Sequence, residues 1–433
     1  MARIYFIATN ALLWFCSSLA LAMPVSPESH IAVAPDMSIN AKGHIALMWV
    51  DRSPDLTPAQ TDHHQHTEFA RTNLYVAISR DGGESFTPPV KVNHDPAVVR
   101  GQNINRPRIA GAANGDWHIS YAANELHPDT GKPLMTSHYT RSTDGGRSFE
   151  PPRRLSELND IDRGEFTHGD FMTTAGFQSI AVTPSSVVRT FWIDTRYRTA
   201  EDDASALYSA VSRDGGNTFD AAEELMKTGV CPCCQLMTEA SAGSSLYLSL
   251  RSVSASGLRQ PTVIQIEGDT AAMSVPVDAG HAAWEIEGCP LKPTALALQG
   301  NRVFTAVYSG GEERPGVYVS LSSDSGANFG PSTAVHPNAL VSDAPSIAAN
   351  ENYALLVWHG KTDSRRQIFS RMYGPSGQAI GGVRALTNGL ENASNPVVAV
   401  RADGRFQVTW IEADRIHTTV LPSTPGEIEL GQR

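Results

Sequence analysis

Four short segments of this chain are copies of one another. They are 79–86 (SRDGGESF), 142–149 (STDGGRSF), 212–219 (SRDGGNTF) and 322–329 (SSDSGANF). The shared pattern is S-x-D-x-G-x-x-F, and each copy follows a strand-like run (LYVAI, SHYTR, LYSAV, VYVSL). The pattern has the chemistry of a hairpin. Asp binds the amides of its own loop, Gly permits positive φ, and Phe plugs the blade below. One copy would be ordinary turn chemistry. Four copies beside strands define a repeating unit, and an internal repeat dictates the architecture.

A second repeated element counts the units. It is a strand rich in aromatic and β-branched residues, at 46–52, 117–124, 188–196, 246–252, 303–310, 354–361 and 406–413. The turn is degenerate in unit six (373–379) and absent in units four and seven. Short strands at this period with almost no helical pattern predict an all-β chain, a seven-bladed β-propeller with six blades as the alternative. Each blade has four antiparallel strands. Trp49, Trp192, Trp358 and Trp410 fall on the repeated strand and read as core. The last unit has three clear strands, and the segment at His30–Ala34 is expected to supply its fourth from the N-terminal side. No linker marks a second domain, so 23–433 reads as one propeller.

Hydrophobic residues are 41% and charged residues 18%, which excludes a disordered chain. The net charge of −11 argues against a broad nucleic-acid surface. The N-terminus reads as a signal peptide over 1–22. Arg3 is its positive region, 4–21 is largely apolar, and Ala20-Leu21-Ala22 fits a small-x-small cleavage site. The residues before Cys16 lack the small residue of a lipoprotein signal. The expectation is a periplasmic or secreted monomer with no membrane span after cleavage.

The four turns resemble the Asp-boxes, or BNR repeats, of the sialidase superfamily. The resemblance covers most of the chain after residue 22. It implies the blade type, with the Asp-box joining third and fourth strands opposite the usual ligand face. Many Asp-box propellers are not sialidases. Classical members carry an Arg-Ile-Pro motif that supplies one of three carboxylate-binding arginines. The nearest approach here is Asn105-Arg106-Pro107-Arg108-Ile109, in a different order. The resemblance therefore transfers no residue to the arginine triad or to the tyrosine–glutamate nucleophile pair.

Propeller topology gathers the chemically loaded loops on one face. They are Asp62-His63-His64-Gln65-His66; the 162–170 segment with His168 and Asp170; Cys231-Pro232-Cys233-Cys234 before unit four; and 281–289 (HAAWEIEGC) with His281 and Cys289 before unit five. Asp194, Arg196 and Tyr197 end a strand of unit three.

Cys231, Cys233, Cys234 and Cys289 remain after signal cleavage. An even count in an oxidising compartment suits two disulfides. Three cysteines within four residues are a poor restraint on so long a chain, however. The other reading is a metal or redox centre, because thiolates and imidazoles suit copper or zinc and Cys231 and Cys234 have C-x-x-C spacing. Both readings stand open, with two or three of the cysteines as ligands and His63, His64, His66, His168 or His281 completing the set.

Three functions follow. The first is an exported propeller that binds or processes a metal, copper ahead of zinc. The second is an exo-sialidase-type hydrolase, with Arg106, Arg108, Arg196 and Arg251 as cations, Asp170 or Asp194 as acid and Tyr197 as phenol. The third is a non-catalytic scaffold with structural disulfides. The partner is a small ligand, a glycan or a metal ion.

Overall fold

The structure is a computed structural model that describes residues 22–52, 72–94, 99–126, 128–129, 133–157, 175–197, 205–270, 272–280, 282–286, 288, 290–311, 315–335, 341–361 and 365–425. Every regular element in these residues is a β-strand. The chain runs as successive antiparallel meanders, each starting at the axis and ending at the rim.

Unit one is Ala32–Ile39, Ile45–Asp51, Asn73–Ser79 and Val90–Lys91. In unit two, Val99–Arg100 and Arg108–Gly111 share one side of Trp117–Leu126, followed by Pro133–Ser142 and Arg153–Arg154. Unit three is Ala175–Val182, Val188–Asp194, Ser205–Ser212 and Glu223–Val230. Unit four is Met237–Ala240, Ser245–Val253 and Leu258–Glu267, edged by Val277–Asp278 and Trp284–Glu285. Unit five is Thr294–Gln299, Arg302–Ser309, Gly316–Ser322 and Thr333–Ala334. Unit six is Val341–Ala349, Ala354–Lys361, Arg366–Tyr373 and Ala379–Ala385. The last unit is Ala393–Val400, Phe406–Glu412 and Arg415–Leu421.

Strand pairing merges units three and four into one nine-stranded sheet, because Val230 pairs with Ser252. The innermost strands pack side by side in chain order, and Ala393–Val400 returns to Ala32–Ile39. These strands surround the axis of an all-β propeller.

The ring closes differently from the sequence expectation. The fourth strand of the last unit is Met23–Pro24, paired with Thr418 and His417. The amide of Val25 continues the ladder to the Ile416 carbonyl at 2.7 Å, and the Ile416 amide donates to Ser26 Oγ at 2.9 Å. The expected segment instead enters Ala32–Ile39, the innermost strand of unit one. The reason is burial. Ala32 and Ala34 are fully buried, whereas an outer strand needs only one covered face.

The core lies between blades. Val50, Val76, Ile109 and Trp117 form one cluster across units one and two. Met37, Leu47, Val397 and Ile411 join the last unit to the first. The five tryptophans on the repeated second strands, Trp117 among them, are at most 1% exposed. Each aromatic or aliphatic side chain so buried contributes about 1.5–3 kcal/mol before ordering costs.

The Asp-boxes join third and fourth strands as expected. In each, the Ser hydroxyl donates to Asp, as Ser142 does to Asp144 Oδ1 at 2.8 Å, and later loop amides donate to the same carboxylate. The second glycine answers to the neighbouring blade. At Gly146, φ is +86° and a Cβ would stand 2.5 Å from Ile78 of unit one. The Phe packs across that same seam, Phe149 with Ile78 and Trp117, and Phe219 edge-on to Tyr139 at 4.6 Å. It packs both on its own blade, as Phe219 does beside Trp192, and across the seam to the neighbouring one.

Candidate metal centre

Cys231–Cys234 is the turn between the outermost strand of unit three and the innermost strand of unit four. Both ends are anchored. The Cys231 amide donates to the Arg251 carbonyl at 2.9 Å and the Leu236 amide to the Phe177 carbonyl at 3.2 Å. The Gln235 side chain accepts from the Arg106 amide at 2.6 Å and donates to the Gln178 carbonyl. This bracing turns all three sulfurs inward. Cys231 Sγ is 3.5 Å from Cys234 Sγ and 3.8 Å from Cys233 Sγ, and the three lie within 4.8 Å of one another. An extended chain would send adjacent Cys233 and Cys234 to opposite sides. The tight turn removes that obstacle. Cys231 and Cys234 are free thiols.

The surroundings are cationic. Arg251 and Arg259, 1% and 2% exposed, lie against the pair. Burial opposes a thiolate at Cys234. Hydrogen bonding from Cys231, the Arg251 guanidinium, the Lys292 amide and Arg259 outweigh it and bring the Cys234 thiol down to about 7. Its hydrogen bond to Cys234, together with burial, pushes the Cys231 thiol up. The pair therefore shares one negative charge near neutrality, held by buried guanidiniums. Burial lowers the Arg251 pKa, and both cysteines work against that.

Lys292 carries the site from unit four toward unit six. Its side chain pairs with Asp343, which lies opposite His359 on the neighbouring strand. His359 is buried, which lowers its pKa, and its Nδ1 accepts the Asn395 amide at 3.2 Å. Arg106 donates to Asn395 Oδ1 at 3.2 Å, and burial holds its pKa down to about 10. Arg108 pairs with Asp36 at 3.0 Å. Glu239 lies on the innermost strand of unit four, solvent-exposed yet surrounded by protein. Desolvation pushes it up to about 7, with Arg108 opposing and Asp36 reinforcing.

Of the residues singled out from sequence, Cys231, Cys233, Cys234 and Arg251 lie together at this turn, Arg106 touches it through Gln235, and Arg108 lies near Glu239. Asp194 and Arg196 form a local pair at 2.9 Å, with Arg196 over the Tyr208 ring and Tyr197 43% exposed beside it. His63, His64, His66, His168, Asp170, His281 and Cys289 lie outside the described residues.

Asp36, Glu239, Arg259, Lys292, Asp343 and His359 were missed. A signal for their neighbourhood existed in Ala34-Pro35, Arg106-Pro107, Ala344-Pro345 and Asn395-Pro396. Ala34, Ala344 and Asn395 are left-handed, with φ of 52°, 49° and 52°, at register shifts in the innermost strands. A bulge before a proline re-aims side chains without stranding an amide.

No family model matches the chain, and no curated protein matches it. Solved structures do. A PL25 polysaccharide lyase, an ulvan lyase bound to -[GlcA(1-4)Rha3S]-, is 11% identical with a TM-score of 0.54 over 95% of this chain and 98% of that one. A protein of unknown function from Dyadobacter fermentans is 12% identical with a TM-score of 0.51, over 92% and 97%. The intramolecular trans-sialidase from Ruminococcus gnavus is 9% identical with a TM-score of 0.47, over 90% and 94%. At these identities the likeness is one of fold. What the chain shares with them is an all-β architecture of successive antiparallel units.

Proposed function

We propose that this chain is an exported propeller that holds copper(I) on the thiolates of Cys231 and Cys234. The observation that supports this is the convergence of sulfurs, with Cys231 and Cys234 3.5 Å apart and both free. Thiolates sharing a tetrahedral metal sit roughly 3.5–4 Å apart. Charge favours copper over zinc. Two thiolates and a monovalent ion leave one negative charge for Arg251 and Arg259 to neutralise, whereas two thiolates and a divalent ion leave none. A histidine from the 63–66 group, His168 or His281 is the proposed further ligand. Cys233, at 7% exposure the most accessible of the three, is left for a structural bridge.

The hydrolase alternative draws on the fold and on Arg106 and Arg108. Arg108 is already neutralised by Asp36, and Arg196 by Asp194, which leaves that reading less support.

The test is metal analysis after anaerobic loading with copper(I) or zinc(II) and desalting. Wild type is expected to retain a single copper ion, and Cys231→Ser and Cys234→Ser to lose most of it. Equal copper in all three overturns the proposal.

A further inference from the structure

We propose that Cys231 and Cys234 close reversibly to a disulfide by exchange with a small external disulfide, so that the same pair alternates between an open dithiol and a closed bridge. The geometry stands one step short of the bond. The sulfurs are 3.5 Å apart, against about 2.0 Å in a disulfide, so closing draws them together by about 1.5 Å. Side-chain rotation within one turn can supply that movement, because the turn is pinned at the Cys231 and Leu236 amides and by the Gln235 side chain. Arg251 and Arg259 flank the pair, and Arg251 is held by bonds to the Arg259 and Tyr308 carbonyls that do not involve the sulfurs. Both thiols are free, and the C-x-x-C spacing closes a small ring of the kind redox dithiols use.

The exchange balances. One thiolate of the pair attacks the external disulfide, forming a mixed disulfide and expelling one external thiolate. The second protein thiol gives up its proton to that thiolate, attacks the mixed disulfide and expels the other external thiolate. The protein loses two electrons, and the external disulfide is reduced to one thiol and one thiolate, the latter taking from solvent the proton that the first cysteine had released. Both cysteines are buried, so the partner must be small. A closed bridge offers no thiolate, so a bound copper ion leaves on oxidation. That consequence alone rests on the metal reading.

The experiment uses metal-free full-length protein equilibrated with 2-hydroxyethyl disulfide and its thiol at varied ratios, acid-quenched, alkylated and mapped by peptide mass spectrometry. A Cys231–Cys234 bridge is expected that opens and closes with the ratio. Cys231→Ser and Cys234→Ser are expected to accumulate a mixed disulfide on the remaining cysteine, which wild type does not. A pair that stays reduced at every ratio overturns the proposal, as does a bridge to Cys233 instead. Circular dichroism of each variant establishes that its fold is intact, and wild-type behaviour decides alone if a variant does not fold. Bridge closure in a protein that takes up no copper defeats the metal reading and leaves the exchange standing.

Discussion

Arg251 donates through Nη2 to the Tyr308 carbonyl at 2.9 Å, so a guanidinium rooted in unit four is fastened to unit five while it lies against Cys234. The bond links blade packing to thiol chemistry. Arg251→Met keeps much of the volume and removes the charge. The Cys234 midpoint is expected to rise clearly above its value of about 7, followed by thiolate ultraviolet absorbance against pH. Loss of the bond to Tyr308 is expected to cost about 1–3 kcal/mol in urea unfolding. An unmoved midpoint would show that the guanidinium does not hold the thiolate.

His118 sets a limit on acid stability. It is 1% exposed, its Nδ1 meets the Tyr139 hydroxyl at 2.7 Å, and burial with Arg141 nearby holds it down to about 3. In the unfolded chain it titrates near 6.5. A depressed folded value means the unfolded state binds the extra proton. The contribution is therefore complete above pH 6.5 and is lost as pH falls toward 3, at about 1.4 kcal/mol per pH unit. His118→Gln is expected to flatten the wild-type decline in urea midpoint between pH 6 and 4. Parallel curves for the two proteins would assign the acid sensitivity to other groups.

The Asp-box residues are expected to matter for stability and not for the metal. Asp144 accepts from Ser142 Oγ, the Arg147 and Ser148 amides and Ser148 Oγ, at 2.8, 2.9, 3.1 and 2.7 Å. Asp144→Ala leaves those donors partly to water, which limits the loss to about 1–2 kcal/mol. Chemical unfolding reads that loss, and copper content should stay at the wild-type value.

Much of the fold was legible because it is written in repeats. Each Asp-box marks a hairpin, and each aromatic strand becomes the doubly covered second strand of a blade. The closing strand was misplaced because Met23–Pro24 is two residues long and carries no alternation to read. The cysteine turn was legible through its spacing, since three of its partners are local. Arg259, Lys292, Asp343 and His359 come from three different units, so no window of sequence holds them together. Their proximity is a product of ring closure, and the only trace was the recurrent proline after a bulge.

Closure by the N-terminal strand carries its own expectation. Met23 to Ser26 ties to the last unit through the Val25 amide, the Ser26 hydroxyl and Arg415, whose Nε and Nη2 donate to the Ser26 carbonyl at 3.2 and 3.0 Å. Truncating the chain to begin at His30 removes these bonds and is expected to cost about 2–4 kcal/mol. A lower denaturant midpoint would accompany it. An unchanged midpoint would mean that Ala32–Ile39 alone latches the ring.

Cys233 separates the structural role of the cysteines from the chemical one. Its sulfur stands 3.8 Å from Cys231, yet of the three described cysteines it is Cys231 and Cys234 that are free thiols. Cys289 is the one other cysteine outside the segment expected to be a signal peptide, and we predict that it pairs with Cys233. Denatured, unreduced protein should then show thiols at Cys231 and Cys234 alone, with Cys233 and Cys289 alkylated only after reduction. Cys233→Ser opens a long loop and is expected to cost about 2–4 kcal/mol, since such a bridge acts mainly on the unfolded chain. It should leave copper retention near wild type, whereas Cys234→Ser should abolish retention at little cost in stability. Loss of copper in Cys233→Ser without loss of stability would reverse the assignment and make Cys233 a ligand.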